Sequence, residues 1–263
     1  MDIKLLLKDI FSFNSDSMRR RFQKLNALLK RKLLPRKNYN NTKEFKNIPI
    51  IINNRNRFSC MMELISWLEK YGYTNIFIID NASTYPPLLD YYSRTKYKVF
   101  SLKENGGHLS LWKSGIISQF EHDYYVYTDP DIVPVEACPG NVMEFFMNLL
   151  NRYGNIEKIG FGLKIDDLPD HYSGKQEVIA WEKKFWEKEV EKDVFDAALD
   201  TTFALYRPYT NGAKWVQKAY RTGGNYVARH LPWYEDSKNE SAELLFYKKE
   251  IKKGSSHWIE EKE

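Results

Sequence analysis

A chain of 263 residues, 43% hydrophobic and 29% charged, is long enough to bury one large core. Its two cysteines, Cys60 and Cys138, lie far apart and in no ligand spacing, which excludes a disulfide framework and a zinc site and points to a reducing, cytoplasmic setting. The formal charge of +5 divides unevenly, because residues 1–50 carry 13 Lys and Arg against 4 Asp and Glu, a net +9, whereas the rest carries −4.

The basic arm has Ile3, Leu6, Leu7, Ile10 and Phe11 at helical spacing, and again Met18, Phe22, Leu25, Leu28 and Leu29, with Arg19–Arg21 and Lys30–Lys32 interleaved. One or two basic amphipathic helices are predicted. Such a surface suits anionic lipid headgroups through residues 1–35, and equally suits a helix docked on the body with a solvated basic face. Pro35 and the Asn-rich run from Asn38 to Asn47 read as a linker, which divides the chain into an arm, 1–47, and a body, 48–263. No run approaches the roughly 18 apolar residues of a membrane span, and the charged N-terminal segment has no signal-peptide pattern, so neither membrane crossing nor secretion by that route is expected.

In the body a strand over Ile48–Ile52 ends in Asn53-Asn54-Arg55-Asn56-Arg57. A helix over 60–70 follows, with Met61, Leu64, Ile65 and Leu68 on one face, then a strand over Ile76–Ile79 ending in Asp80-Asn81-Ala82-Ser83. Pro86 and Pro87 open a helix, Val99–Leu102 is a third strand, and Glu104-Asn105-Gly106-Gly107-His108 leads into a helix running to about Phe120. The strand Tyr124–Tyr127 then ends in Thr128-Asp129-Pro130-Asp131. Alternating strands and helices predict an α/β fold with a mostly parallel sheet covered on both faces, and strands that end in polar residues deliver them to the sheet's carboxyl edge. Two carboxylates flanking one residue there supply hard oxygen ligands for Mg²⁺ or Mn²⁺, although Asp-Pro-Asp alone also makes an ordinary turn.

Four segments, Ile51-Ile52-Asn53-Asn54-Arg55, Ile79-Asp80-Asn81-Ala82-Ser83, Asn105-Gly106-Gly107 and Tyr127-Thr128-Asp129-Pro130-Asp131, give the chain its resemblance to GT-A fold glycosyltransferases, above all glycosyltransferase family 2 and related bacterial polysaccharide enzymes. The resemblance covers about residues 48–135, the donor half, and weakens over the acceptor half, 136–263. It implies a Rossmann-like αβα sandwich that transfers a sugar from a nucleotide-diphosphate donor, a UDP-sugar, to a surface glycan or lipid-linked acceptor with inversion. Asp129 and Asp131 would hold the metal, Asp80 the nucleoside, and Asn53 and Arg55 would line the base pocket. A strand-end carboxylate can accept from an imide N–H or a ribose hydroxyl, while an N-cap or Asx turn is the competing use of Asp80. Asn105, Gly106 and Lys113 would belong to the donor site, where Gly106 and Gly107 permit close backbone approach and Lys113 beyond them is either a phosphate contact or a solvent-facing lysine.

In the acceptor half a helix is predicted over 141–153, a strand over Ile159–Ile165 ending at Asp166-Asp167, and a strand over Thr201–Tyr206. Ala197-Ala198-Leu199-Asp200-Thr201-Thr202 stands where the family carries a glycine-containing motif beside the donor sugar, and it lacks the glycines. An inverting transferase needs one carboxylate base near the acceptor hydroxyl. Glu235-Asp236 resembles the family's late acidic pair, so Asp236 is the first candidate, Asp200 the second and Asp167 the third. His230 and His257 are candidate further metal ligands, with His230 favoured for its polar and aromatic neighbours after Gly223-Gly224, a segment suited to a closing loop. Trp181, Phe185 and Trp186 recur at helical spacing and are read as core before an acceptor platform. A sugar-nucleotide pyrophosphorylase would instead place a glycine-rich loop after the first strand, where Asn53–Arg57 has no glycine, and an acidic body without a nucleic-acid motif argues against a nucleic-acid partner.

Overall fold

The computed structural model describes residues 39–200, 202–210 and 218–250, together with 27, 29–31, 33 and 212. The arm's helical pattern before residue 27 and His257 lie outside the described residues.

The chain enters through α1 (Thr42–Lys46), capped by Asn41, whose side chain accepts from Glu44 N at 3.1 Å. This helix falls in the Asn-rich run expected as a linker. Asn41 supplies the cap and Phe45 is buried in the core, so the run is anchored to the body. Then come β1 (Ile50–Asn54), α2 (Phe58–Lys70), β2 (Ile76–Asp80), α3 (Pro86–Arg94) and β3 (Lys98–Ser101), close to their predicted bounds. The helix expected from 108 to 120 is instead α4 (Ser110–Lys113) between two 3₁₀ turns, Gly107–Leu109 and Ile116–Gln119. Gly115, at φ +77°, adopts the left-handed conformation that ends a right-handed helix. The remaining elements are β4 (Tyr125–Thr128), β5 (Ile132–Pro134), α5 (Val142–Arg152), β6 (Lys158–Leu163), α6 (Lys175–Glu182) with the 3₁₀ turn Lys183–Trp186, β7 (Glu189–Glu191), β8 (Val194–Asp196), β9 (Ala204–Tyr206), β10 (Ala219–His230), the 3₁₀ turn Leu231–Tyr234 and α7 (Ala242–Glu250).

One ten-stranded sheet runs β3-β2-β1-β4-β9-β6-β10-β8-β7, with β5 pairing on β10. β1 to β4 are mutually parallel, β9 runs against them between β4 and β6, and β6 and β10 are parallel to each other. Every residue of β1 is buried, as expected of a parallel strand covered on both faces. Ile50, Ile52, Ile76, Ile78 and Val126 meet α2 and α5 on one face. Ile51, Ile79, Tyr125, Tyr127 and Tyr206 meet Leu111 of α4 on the other. The mixed α/β sandwich with a mostly parallel central sheet is thus the architecture expected from the sequence.

β10 was hidden by its glycines. Gly223-Gly224 reads as the entry to a closing loop, yet it lies inside a twelve-residue strand whose register against β6 jumps between Thr222 and Val227, with Gly224 at φ +58°. The pair forms a bulge instead of opening a loop. His230 is the last residue of that strand.

Candidate functional site at the carboxyl edge of the sheet

Four segments converge where β1, β4, β6 and β10 end. The Asp129–Asp131 turn links β4 to β5, and the backbone of Leu231 donates to Asp131 O at 2.9 Å, pinning the end of β10 against it. Asp131 and His230 therefore face each other, with Oδ2 and Nε2 3.6 Å apart. Burial lowers the His230 pKa, against the attraction of Asp131 and together with Arg57, so the ring is neutral near pH 7. Trp233 packs edge-on against it at 4.6 Å.

Arg57, just beyond β1, was not singled out in the sequence. It is 3% exposed and donates from Nη2 to Glu235 Oε1 at 2.5 Å and to Cys60 Sγ at 3.3 Å, while its guanidinium lies 5.1 Å from the Tyr247 ring. Burial opposes its charge, and the fields of Cys60, Glu235 and Asp131 more than offset it. Tyr247 comes from α7, which also delivers Glu243 to accept from Ser59 N at 3.0 Å and Ser59 Oγ at 2.7 Å at the start of α2. Burial pushes the Cys60 thiol up to about 12, so that cysteine is an inert neighbour. Buried polar atoms of three side chains in this cluster have no hydrogen-bond partner: Arg57 Nε, Asp131 Oδ1 and His230 Nδ1.

The structure brings Asp131 and His230 together, and Asp129 stands half-buried at the start of the same turn. Among the described residues no three His, Cys, Asp or Glu side chains form a group that could hold a metal by themselves. A divalent ion that takes one or two protein carboxylates and fills its shell from phosphate and water does not need three, and the unpartnered Asp131 Oδ1 is a hard oxygen suited to it. The residues present fit such an ion.

The donor-side residues are largely engaged with one another. Asn53 Oδ1 accepts from Ser110 Oγ at 2.5 Å, and its amide donates to Gly107 O at 3.3 Å. Asn81 joins them, accepting from Gly106 N at 2.7 Å and donating to Gly107 O at 3.1 Å. Asn105 Oδ1 closes the loop by accepting from Gly107 N at 2.9 Å, and Lys113 Nζ reaches back to Gly106 O at 2.9 Å. Together these bonds hold the 105–108 loop on the ends of β1 and β2, so Asn53, Asn105 and Lys113 shape the crevice from within. Asp80 is 6% exposed, and its Oδ1 accepts from Ser83 N, three residues on, at 2.9 Å, the bond a capping carboxylate makes. Arg55 is half-buried, within electrostatic reach of Tyr247.

The three candidate bases separate. Asp236 folds back on its own turn, with Oδ1 accepting from Lys238 N at 2.8 Å and Oδ2 from Asn239 Nδ2 at 2.7 Å. Those bonds lower its pKa. Asp167 accepts from Tyr234 OH and from Arg229 Nη2, each at 2.5 Å, and these bonds outweigh the upward push of burial. Asp200 is exposed, and its carbonyl takes a bond from Lys158 Nζ at 3.3 Å. Glu235, adjacent to Asp236, instead faces Arg57, and burial raises its pKa against the pull of that partner. No sequence signal separates Glu235 from Asp236; only their directions of approach do.

No protein-family model and no curated protein matches the chain. Among solved structures it is similar to the mannosyltransferase PcManGT from Pyrobaculum calidifontis in complex with GDP-Man and Mn²⁺ (12% identity, 86% of this chain and 67% of that one, TM-score 0.45). It is also similar to residues 1–349 of TarS from S. aureus (16%, 61% and 47%, TM-score 0.37) and to a mycobacterial protein (11%, 80% and 75%, TM-score 0.44). The matched part thus spans about half the length of the TarS structure.

Proposed function

We propose that the chain is a glycosyltransferase that moves a sugar from a UDP-sugar to a glycan or lipid-linked acceptor with inversion. The observation that carries this reading is the cluster of Asp131, His230 and Arg57, whose buried polar atoms lack partners at the carboxyl edge of a parallel sheet. Buried polar groups are nearly always hydrogen-bonded, and a group of exceptions in a crevice is what a missing polar ligand would leave. Asp131 and Asp129, with His230 beside them, would hold Mn²⁺ or Mg²⁺. When bound, the ion supplies Lewis-acid stabilisation of the charge on the departing diphosphate. Arg57 adds a fixed positive charge near the same carboxylate.

Glu235 replaces Asp236 as our first candidate base. A base with a raised pKa is a stronger proton acceptor when ionised, whereas the bonds that hold Asp236 and Asp167 stabilise their charged forms. Asp80 would meet the nucleoside through the half of its carboxylate not used by Ser83. Residues 48–263 would form the catalytic body, at the cytoplasmic face of a membrane reached through residues 1–35. Within that arm Arg31 already binds the body, donating to Glu157 at 2.6 Å, Thr210 at 2.8 Å and Pro208 O at 2.7 Å, so part of the basic surface is committed to docking. Among the described residues no helix is long and apolar enough to cross a membrane. The test is UDP-sugar hydrolysis and transfer with Mn²⁺ and with chelator, alongside thermal shifts with UDP. Absence of both turnover and Mn²⁺-dependent UDP stabilisation would sink the reading.

A further inference from the structure

A second concavity lies on the acceptor half, lined by no residue of the Arg57 cluster. It is a cleft of about 380 Å³ between the end of β6, the bulge of β10 and the 3₁₀ turn after α6, and its lining includes Lys164, Ile165, Asp166, Lys183, Trp186 and Val227. That volume falls within the roughly 300–1,000 Å³ of small-molecule sites. Its wall is built for the indole. A Cβ at Gly162 would lie 2.5 Å from the Trp186 ring, so glycine in β6 is what allows the ring to lie against the strand. Phe195 holds it edge-on from behind at 5.1 Å. The bulge at Gly223-Gly224 draws β10 out of register beside it, which opens the space.

Charge distinguishes this cleft from ordinary apolar surface. Lys164 pairs with Asp166 at 2.6 Å, and Asp166 is itself 76% exposed. Lys183 is exposed and makes no ion pair among the described residues. Lys164 is paired with Asp166 and the Asp193 carboxylate lies at the Gly224 edge of the cleft, so Lys183 is the one lining ammonium without an ion pair among the described residues, beside an apolar, indole-walled space. A phosphate monoester, at about −1.5 to −2, would meet Asp166 and Asp193 with more charge than Lys183 offsets, whereas a carboxylate brings one charge to that one ammonium. A pyranose ring presents an apolar face to an aromatic ring and polar groups at its edge. The Tyr234 hydroxyl contacts both Lys164 O at 3.2 Å and Asp167 Oδ1 at 2.5 Å, and the next residue in the chain is Glu235.

We propose that this cleft binds a uronic-acid unit of the acceptor, its ring on Trp186 and its carboxylate at Lys164 and Lys183. The word acceptor rests on the transfer reading; the binding itself does not. The experiment titrates the full chain with trigalacturonic acid, with its neutral methyl ester and with glucose 6-phosphate, followed by tryptophan fluorescence and saturation-transfer NMR, and measures Mn²⁺-dependent UDP binding on the same protein. The expected result is saturable binding of the acid, weakened roughly tenfold by esterification and by Lys183→Glu. Binding of acid and ester should both weaken in Trp186→Phe. Equal binding of acid and ester, tighter binding of the phosphate, no response to Lys183→Glu, or no saturable binding at millimolar acid would each overturn the proposal. UDP binding that persists in those cases leaves the donor reading standing. Acid binding without any UDP binding would remove the donor reading and keep the cleft.

Discussion

Two buried arginine–carboxylate pairs in the same molecule differ in how completely their surroundings satisfy them. Arg221 donates to Glu182 at 2.6 Å and to Ala198 O at 2.7 Å and lies over the Phe185 ring at 3.9 Å, and neither partner has a buried atom without a bond. Arg57 is as deeply buried and holds Glu235 as closely, yet its Nε, the facing Asp131 Oδ1 and His230 Nδ1 have none. Burying charge is costly in both places. Where every donor finds an acceptor, the pair is explained by the fold alone; where donors and acceptors are left over in a crevice, a polar ligand is the natural completion. The two arginines are equally buried and the pairing distances nearly equal, so it is this difference in satisfaction, together with the more exposed Glu235 carboxylate, that separates a structural ion pair from a candidate site.

The largest effect is expected at the unsatisfied pair's neighbour. Asp131→Ala should retain its fold by circular dichroism and lose transfer by roughly 10³-fold or more, together with Mn²⁺-dependent UDP binding. Full activity, or activity indifferent to chelator, would remove the metal from the scheme. At the satisfied pair the expectation is reversed. Glu182→Ala leaves Arg221 buried without its carboxylate and should cost about 3–5 kcal/mol in urea unfolding, while the rate per folded molecule stays near wild type. A large loss of rate with intact stability would erase the distinction between the two pairs.

Within the Arg57 cluster a smaller and sharper comparison sets Glu235 against Asp236. Glu235→Gln should lower kcat by roughly 10² and leave UDP affinity nearly intact, and Asp236→Asn should change kcat by less than about tenfold, because only the first faces the buried site. The reverse pattern would return the base role to Asp236.

How much of this was legible beforehand follows the same line between local and long-range order. The first four strands and α2 lie close to their predicted positions because apolar runs and helical periodicity are local signals. Asp129, Asp131 and the polar ends of β1 and β2 were placed by the same logic, since a strand end names its own edge of the sheet. The pairing of His230 with Asp131 depends on β10, whose glycines disguised it as a loop. Arg57 was equally hidden, because its partners Glu235 and Tyr247 come from segments more than 170 residues later. Trp186, read as core, packs against β6 and also lines the acceptor-half cleft, a position set by the absence of a side chain at Gly162.

The smallest effect concerns the satisfied region, where Lys158 lies near Arg221. Its ammonium donates to Tyr206 OH at 3.1 Å and to Asp200 O at 3.3 Å, 4.9 Å from the Tyr206 ring centre. Even so, burial lowers its pKa to about 8, with Asp200 opposing and Arg221 adding to the shift. Below that pH the lysine is charged in both folded and unfolded chains, and the fold carries the whole desolvation cost. As pH rises from about 8 towards the usual lysine value near 10.4, the folded protein releases the proton while the unfolded chain still holds it, so this group makes stability increase with pH. Lys158→Met fills similar volume and removes the titration. The stability of wild type relative to Lys158→Met should therefore rise by about 2 kcal/mol between pH 7 and pH 10, read from paired urea unfolding curves. The raised tyrosine pKa values of the core are common to both proteins and largely cancel in the difference. A difference that stays flat over this range would mean that Tyr206 and Asp200 compensate the buried ammonium fully, and Lys158 would then belong to the satisfied pair without qualification.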